Sequence, residues 1–217
     1  MTVTLDRPWL EMDLGADLRV LSWSLNTPGF VTARHIVWRE VRDADLPRDF
    51  DVDGWFRREL AARDRAQAVG LLTSRNIDAF NLAEHTADGI HARAVATVGF
   101  SNAERIGTRL DRGDKDWGTI NVAVQVDAGL TDAALIETLS IATQARTAAV
   151  MDAGYDLPTG RATGTGTDCI AVAAPQGDVA FAGLHTAVGE AVGAAVFEAV
   201  SKGARVWMDT VRREGEF

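Results

Sequence analysis

Ala162-Thr163-Gly164-Thr165-Gly166-Thr167-Asp168 runs straight into Cys169-Ile170-Ala171-Val172-Ala173-Ala174, and this junction decides the fold class. Small hydroxyl residues and glycines give way to an unbroken apolar stretch with the length of a buried strand. In a nucleotide-binding βαβ unit, a glycine-rich loop opens a helix. Here a strand follows, and Gly160 to Gly166 lack the Gly-x-Gly-x-x-Gly spacing. Gly118-Thr119-Ile120-Asn121 repeats the pattern and leads into Val122-Ala123-Val124-Gln125-Val126. Glycine lets backbone approach a ligand closely, and threonine adds donors and acceptors without bulk. Loops at strand ends are where binding and catalysis concentrate. Either run alone reads equally as a tight turn with threonine at a strand start; the pair, each abutting a core strand, reads as a site.

Outward from this junction, strands and helices mix without a βαβ rhythm. Leu18 to Leu25 alternates apolar and polar residues, as a half-buried strand does. Ala33 to Val41, Val69 to Ser74 and Ile90 to Phe100 read as further strands. Asp53 is placed to cap a short helix carrying Phe56 and Leu60 on one face. Thr131 is a good N-cap for a long helix through about Ala153, with Leu135, Leu139, Ala142 and Ala149 on one stripe and Gly154 as its stop. A last long helix is expected from about Thr186 to Lys202, turning Val188, Val192, Ala195 and Ala199 inward and ending at Gly203. The expectation is a single α+β domain spanning 1–217, a layered sheet covered by these two long helices.

Composition narrows the function. The 217 residues carry 22 Lys and Arg against 31 Asp and Glu, a net charge of −9. Phosphate-backbone binding needs the opposite sign, so nucleic acid is not an expected partner. Arg34, Arg39, Arg42 and Arg48 are interleaved with acids and read as a solvated face. No apolar run approaches a membrane span, and Met1 to Pro8 lacks the pattern of a signal peptide. The expected address is cytoplasmic. The one cysteine, Cys169, excludes an internal disulfide and reads as a small buried hydrophobe. There is no P-loop and no Gly-x-Ser-x-Gly elbow. His35, His85, His91 and His185 show no pair at metal-ligand spacing, so no metal site is expected.

Two residues stand out as chemistry. His185, just before the last helix, is placed where the helix field disfavours its protonated form, as a general base requires. Read plainly, it is an exposed or capping histidine. Asp168, at the loop-to-strand junction, either orients a base, binds an amine or activates water, or else bonds its own turn. Glu190 follows His185 by a little more than one helical turn and reads as a second group for the same cleft, or as a solvated helix residue.

Taken in order, several motifs resemble the CbiZ family of adenosylcobinamide amidohydrolases. They are Gly70-Leu71-Leu72-Thr73-Ser74, Ala96 to Asn102, Gly118 to Asn121, Ala142 to Ala148, Ala162 to Asp168 and Ala182 to Glu190. The resemblance spans about residues 15 to 200. Two departures bear on substrate range rather than reaction type: Asn26-Thr27-Pro28-Gly29 stands where the family tends to carry Gly-Gly, and Arg146 where it usually has Lys. The family cleaves the amide joining the aminopropanol arm to the corrin ring of adenosylcobinamide. That yields adenosylcobyric acid and 1-amino-2-propanol, and cobyric acid re-enters coenzyme B12 assembly.

Amide hydrolysis needs a nucleophile, a proton shuttle and an oxyanion stabiliser. The expectation is His185 as general base, oriented by Asp168, acting on water or on Thr165 or Thr167 as nucleophile. The loop Thr163, Gly164, Thr165, Gly166 and Thr167 would hold the oxyanion. Asn102, Thr119 and Asn121 would bond the peripheral amides of the corrin, with Glu190 also at the substrate and Trp117 as an apolar wall. No cofactor is expected, since cobalt enters with the corrinoid substrate; a homo-oligomer stays open. Two other classes remain at this stage. One is a corrinoid-binding protein without hydrolysis, with His185 as a lower cobalt ligand. The other is a phosphate or nucleotide enzyme using the Gly/Thr loop as an anion nest.

Overall fold

The computed structural model describes residues 1–42, 50–111 and 118–214, with side chains through 211. Arg48 and Trp117, named above, lie outside the described residues. The chain forms β1 (Thr2–Asp6), β2 (Trp9–Ser22), β3 (Gly29–Glu40), α1 (Val52–Ala62), β4 (Val69–Thr73), β5 (Asn81–Ala87), β6 (Ile90–Val98), β7 (Ala103–Glu104), β8 (Ile120–Val126), α2 (Asp132–Ala153), β9 (Asp156–Leu157), β10 (Gly160–Arg161), β11 (Gly164–Thr165), β12 (Cys169–Ala174) and α3 (Ala187–Glu214). Its main sheet has the order β4-β3-β2-β12-β8-β6-β5, with β1 alongside β2. Pairing is antiparallel except for β12 with β8 and β3 with β4. This is the expected α+β arrangement.

Side-chain alternation sorts the sheet into two faces. In β8, Ile120, Val122, Val124 and Val126 join the core under α2 and α3, together with Ile170, Val172 and Ala174 of β12. Ala123, Ala171, Ala173 and Val95 point the other way and meet Leu10, Met12, Ile36, Trp38 and Leu71. Those large residues belong to the other half of the same sheet, so the sheet curls over on itself. Small side chains on one wall receive large ones from the other, which lets the two halves close to interior density. Asn121 ties the halves, its Nδ2 donating to the Leu72 carbonyl of β4 at 2.6 Å. Outside the curl, α1 buries Phe56 and Leu60 against Trp9, Val37 and Ala68. From one side to the other the layers are α2 with α3, sheet, sheet, and α1.

The helix starts follow ordinary capping. Thr131 Oγ1 accepts from the Ala134 amide at 3.2 Å, and Gly154 closes α2 at φ +76°. In α1 the cap is Asp51, bonded to the Gly54 amide at 2.8 Å; Asp53, expected as the cap, lies inside the first turn and pairs with Arg57. α3 does not stop at Gly203. A Cβ there would fall 2.7 Å from Val98 Cγ2, so glycine serves close packing of helix on sheet. The helix continues because Trp207, one turn on, is buried against Phe100 and Tyr155, with ring centroids 5.3 Å away in both cases. Arg39 also departs from the solvated reading: it lies over Trp9 and Trp55 and pairs with Glu59. Among the described residues, no helix is long and apolar enough to cross a membrane.

Candidate active site

Parallel pairing of β8 and β12 sets their first residues side by side, Asn121 opposite Cys169. Antiparallel β6 ends at the same level, Val98 opposite Ile120. The loop after β6, the Gly118-Thr119 entry to β8 and the Thr163–Asp168 loop therefore meet at one edge of the sheet. They are laced together. Thr167 Oγ1 donates to the Gly118 carbonyl at 2.7 Å and accepts from Asn102 Nδ2 at 3.1 Å. Thr119 Oγ1 donates to the Thr167 carbonyl at 2.9 Å.

Asp168 is the hub. Its Oδ1 accepts from the Ile120 amide at 3.1 Å and from the Thr165 hydroxyl. Its Oδ2 accepts from the Thr165 amide at 3.0 Å and from Arg146 Nη1 at 2.8 Å. The same Nη1 donates to the Thr163 carbonyl at 2.8 Å. The Asp168 side chain is 7% exposed and that of Arg146 12%. Burial pushes the Asp168 carboxyl up from the ordinary carboxylate range; Arg146, the Thr165 hydroxyl and the amides of Thr165 and Ile120 pull against it. Every partner of the two oxygens is a donor, which is the environment of an ionised carboxylate. Gly164 makes the pair possible, since a Cβ there would fall 1.9 Å from Arg146 Nη1.

Above this buried carboxylate the loop opens outward. Thr165 is half-buried, while Gly166 and Thr167 are exposed. The half-buried Thr165 thus donates its hydroxyl to a buried carboxylate, a pairing that can activate a hydroxyl as a nucleophile. Trp23 flanks it, its Nε1 donating to the Asp168 carbonyl at 2.7 Å while 45% of the residue stays exposed. Cys169, next in the chain, is inert by contrast: burial pushes its thiol up to about 12.

Several expected roles change. His185 does not meet Asp168. The loop that carries it packs at the far end of the sheet, where Leu130 bonds Pro175 and the Ala182 amide donates to Glu137 Oε2. From Ala187, α3 covers roughly 24 Å before Gly203 reaches Val98 at the site's level, at 1.5 Å per residue. His185 is exposed there, and the α3 cap is Thr186, whose Oγ1 accepts from the Gly189 amide at 3.0 Å. Glu190 is exposed on the same distant first turn. Asn121 is 1% exposed and engaged with Leu72, so it is a structural tie rather than a group facing a ligand. Thr119 and Thr163 are likewise buried, Thr163 bridging the Ile106 amide and the Glu104 carbonyl. The loop amides are engaged as well: Thr163 with Glu104, Thr165 with Asp168, Gly166 with Asn102. These three amides are therefore not free to hold an oxyanion.

Arg146 and Trp23 are the two site residues that sequence reasoning did not assign. A lone cation among Ala142, Ala145, Ala148 and Ala149 was a visible sign of a buried partner. Nothing local to Trp23 points to Asp168, 145 residues away.

Comparison with known proteins agrees with the motif order. The profile of the adenosylcobinamide amidohydrolase family, CbiZ, matches residues 2–212. An uncharacterized protein of Methanocaldococcus jannaschii is 32% identical over 152 residues, 60% of this chain and 60% of that protein. An adenosylcobinamide amidohydrolase of Methanosarcina mazei is 27% identical over 173 residues, 73% of this chain and 78% of its own length. Among solved structures, a protein of Pyrococcus horikoshii superposes with a TM-score of 0.48 at 11% identity, over 96% of this chain and 86% of that one. With motifs in order along the chain and a match from residue 2 to residue 212, the chain belongs to the adenosylcobinamide amidohydrolase family.

Proposed function

We propose that the protein is a cytoplasmic hydrolase of cobinamide salvage. It cleaves the amide that joins the aminopropanol arm to the corrin ring of adenosylcobinamide, releasing adenosylcobyric acid and 1-amino-2-propanol. Family membership supports the reaction class. The observation that carries the mechanism is the Thr165 hydroxyl donating to buried Asp168.

In this reading Thr165 Oγ1 attacks the amide carbonyl carbon, and its proton passes to Asp168 Oδ1. The tetrahedral adduct collapses, the C–N bond breaks, and the departing nitrogen takes that proton. Water then attacks the threonyl ester, again losing a proton to Asp168. That proton returns to Thr165 Oγ1 as the acid leaves. Asp168 serves as base and acid in turn. Arg146 is a positioning residue that keeps the carboxylate ionised and aimed at the hydroxyl. Trp23 offers an apolar face to a broad corrin. Cobalt arrives as part of the substrate, and no step uses a protein-bound cofactor.

The test is incubation of the purified protein with adenosylcobinamide, followed by chromatography and mass spectrometry for adenosylcobyric acid. Product at many turnovers supports the reading. Tight corrinoid binding without product would make this a binding protein and remove the catalytic roles of Thr165 and Asp168.

A further inference from the structure

Among the described residues, Arg75 is a half-buried cation that pairs with no carboxylate. It follows β4, and its amide donates to the Thr73 hydroxyl at 3.1 Å. Its side chain is half-buried and runs along Gly99, where an added Cβ would meet Arg75 Cδ at 3.9 Å. Gly99 bonds the Thr119 carbonyl at 3.0 Å, and the next residue, Ile120, donates its amide to Asp168. Arg75 therefore sits at the strand ends that hold the Thr165–Asp168 unit.

Its Nε is buried and makes no hydrogen bond. Among the described residues no carboxylate pairs with it, and burial alone acts on its charge. Arg39, Arg65 and Arg146, more or less buried in their turn, each face a carboxylate. A guanidinium stays charged in any protein environment, so desolvating one without a partner destabilises the fold. Groups kept at such a cost cluster at functional sites.

The amides of Thr163, Thr165 and Gly166 are engaged and do not serve the oxyanion, which leaves room for a cation at this edge of the sheet to do so. Resting on the amidohydrolase reading, we infer that Arg75 stabilises the oxyanion of the tetrahedral adduct and then seats the carboxylate of the product. The scissile amide is neutral. As Thr165 Oγ1 bonds to its carbon, the carbonyl π pair moves onto oxygen, and that negative charge faces Arg75. When the C–N bond breaks the pair returns, and no proton leaves the guanidinium. After hydrolysis the corrin side bears a carboxylate at the same place. An interaction present with the transition state and product but not with substrate raises kcat rather than lowering KM.

The test compares wild type, Arg75→Gln and Arg75→Lys in turnover of adenosylcobinamide, in melting temperature and in affinity for adenosylcobyric acid and adenosylcobinamide. The expected result for Arg75→Gln is a kcat lower by about 10²–10³, the scale of a lost oxyanion donor, with KM little changed. Its Tm is expected to be equal or higher, since a partly desolvated charge without a carboxylate partner is gone. Affinity for adenosylcobyric acid should fall about tenfold or more, while that for adenosylcobinamide holds. Arg75→Lys should recover part of the kcat. Unchanged kcat and product affinity would overturn the inference, and so would a lowered Tm with both affinities falling together, the mark of a structural arginine. If wild type binds corrinoids without hydrolysing them, the amidohydrolase reading fails. A selective loss of the acid's affinity in Arg75→Gln would then still sustain the anion seat, and equal affinities would sink it. If neither corrinoid binds wild type, both fall.

Discussion

Replacing Arg146 by methionine should expose the energetics of the site most directly. The substitution removes the guanidinium but keeps most of the stem's packing in α2. Asp168 would retain three donors, the Ile120 and Thr165 amides and the Thr165 hydroxyl, and lose the cation it pairs with. Both side chains are at most 12% exposed, so solvent screens the pair little. Breaking a buried pair by removing one partner costs about 3–5 kcal/mol. At roughly 2–4 °C per kcal/mol for a domain of this size, Tm should drop by roughly 6–20 °C at pH 7.5. The loss should depend on pH, with a definite sign. Burial already holds the Asp168 carboxyl above its ordinary range, and without Arg146 it rises further. For a carboxyl whose folded value exceeds its unfolded one, stability is greatest at low pH and is lost as pH rises through the folded value. The gap between variant and wild type should therefore narrow as pH falls from 7.5 towards 5. Scanning fluorimetry across that range, with Arg146→Met/Asp168→Asn as the compensating double variant, checks it. A Tm within about 2 °C of wild type at pH 7.5, or a deficit that pH does not alter, would refute the account of Asp168 as an ionised carboxylate held by Arg146.

Thr165→Val should abolish turnover of adenosylcobinamide while Thr165→Ser keeps a measurable rate; equal activity in the two would remove the hydroxyl from the chemistry. Asp168→Asn should lower kcat by about a hundredfold, the scale of lost acid–base catalysis, in the same chromatographic assay. His185→Ala should leave turnover at the wild-type level, because the residue stands at the opposite end of the sheet; a fall in kcat would show that the two ends communicate. Cys169, its thiol pushed up to about 12, should resist iodoacetamide at pH 8 in the native protein and react in urea, followed by intact mass; rapid native alkylation would contradict its burial.

How far the chain could be read depended on the range of each interaction. The Thr131 to Gly154 helix was legible because cap, stripe and stop all lie within its own residues. Gly203 misled because its meaning lies in Val98 on another element. Asp168 was legible as a candidate from its loop, and its link to Thr165, three residues earlier, is local. Its pairing with His185 was asked for by the chemistry of amide hydrolysis rather than by any contact, and β12 separates them by its full length of roughly 20 Å, at about 3.3 Å per residue. Asn102 and Thr167 do meet, at 3.1 Å, across 65 residues.

Local chemistry along the chain settled the fold class and the family: alternation and capping specify strands and helices, and motif order marks the family. The assembly of the site could not be read from it. Parallel docking of β8 on β12, the curl that lays β4 across β8, and the Gly164 gap through which Arg146 reaches Asp168 are contacts between segments dozens of residues apart. Such contacts arise only when large and small side chains from both halves of the sheet close a shared core, and no local pattern encodes which distant partner fills a given space.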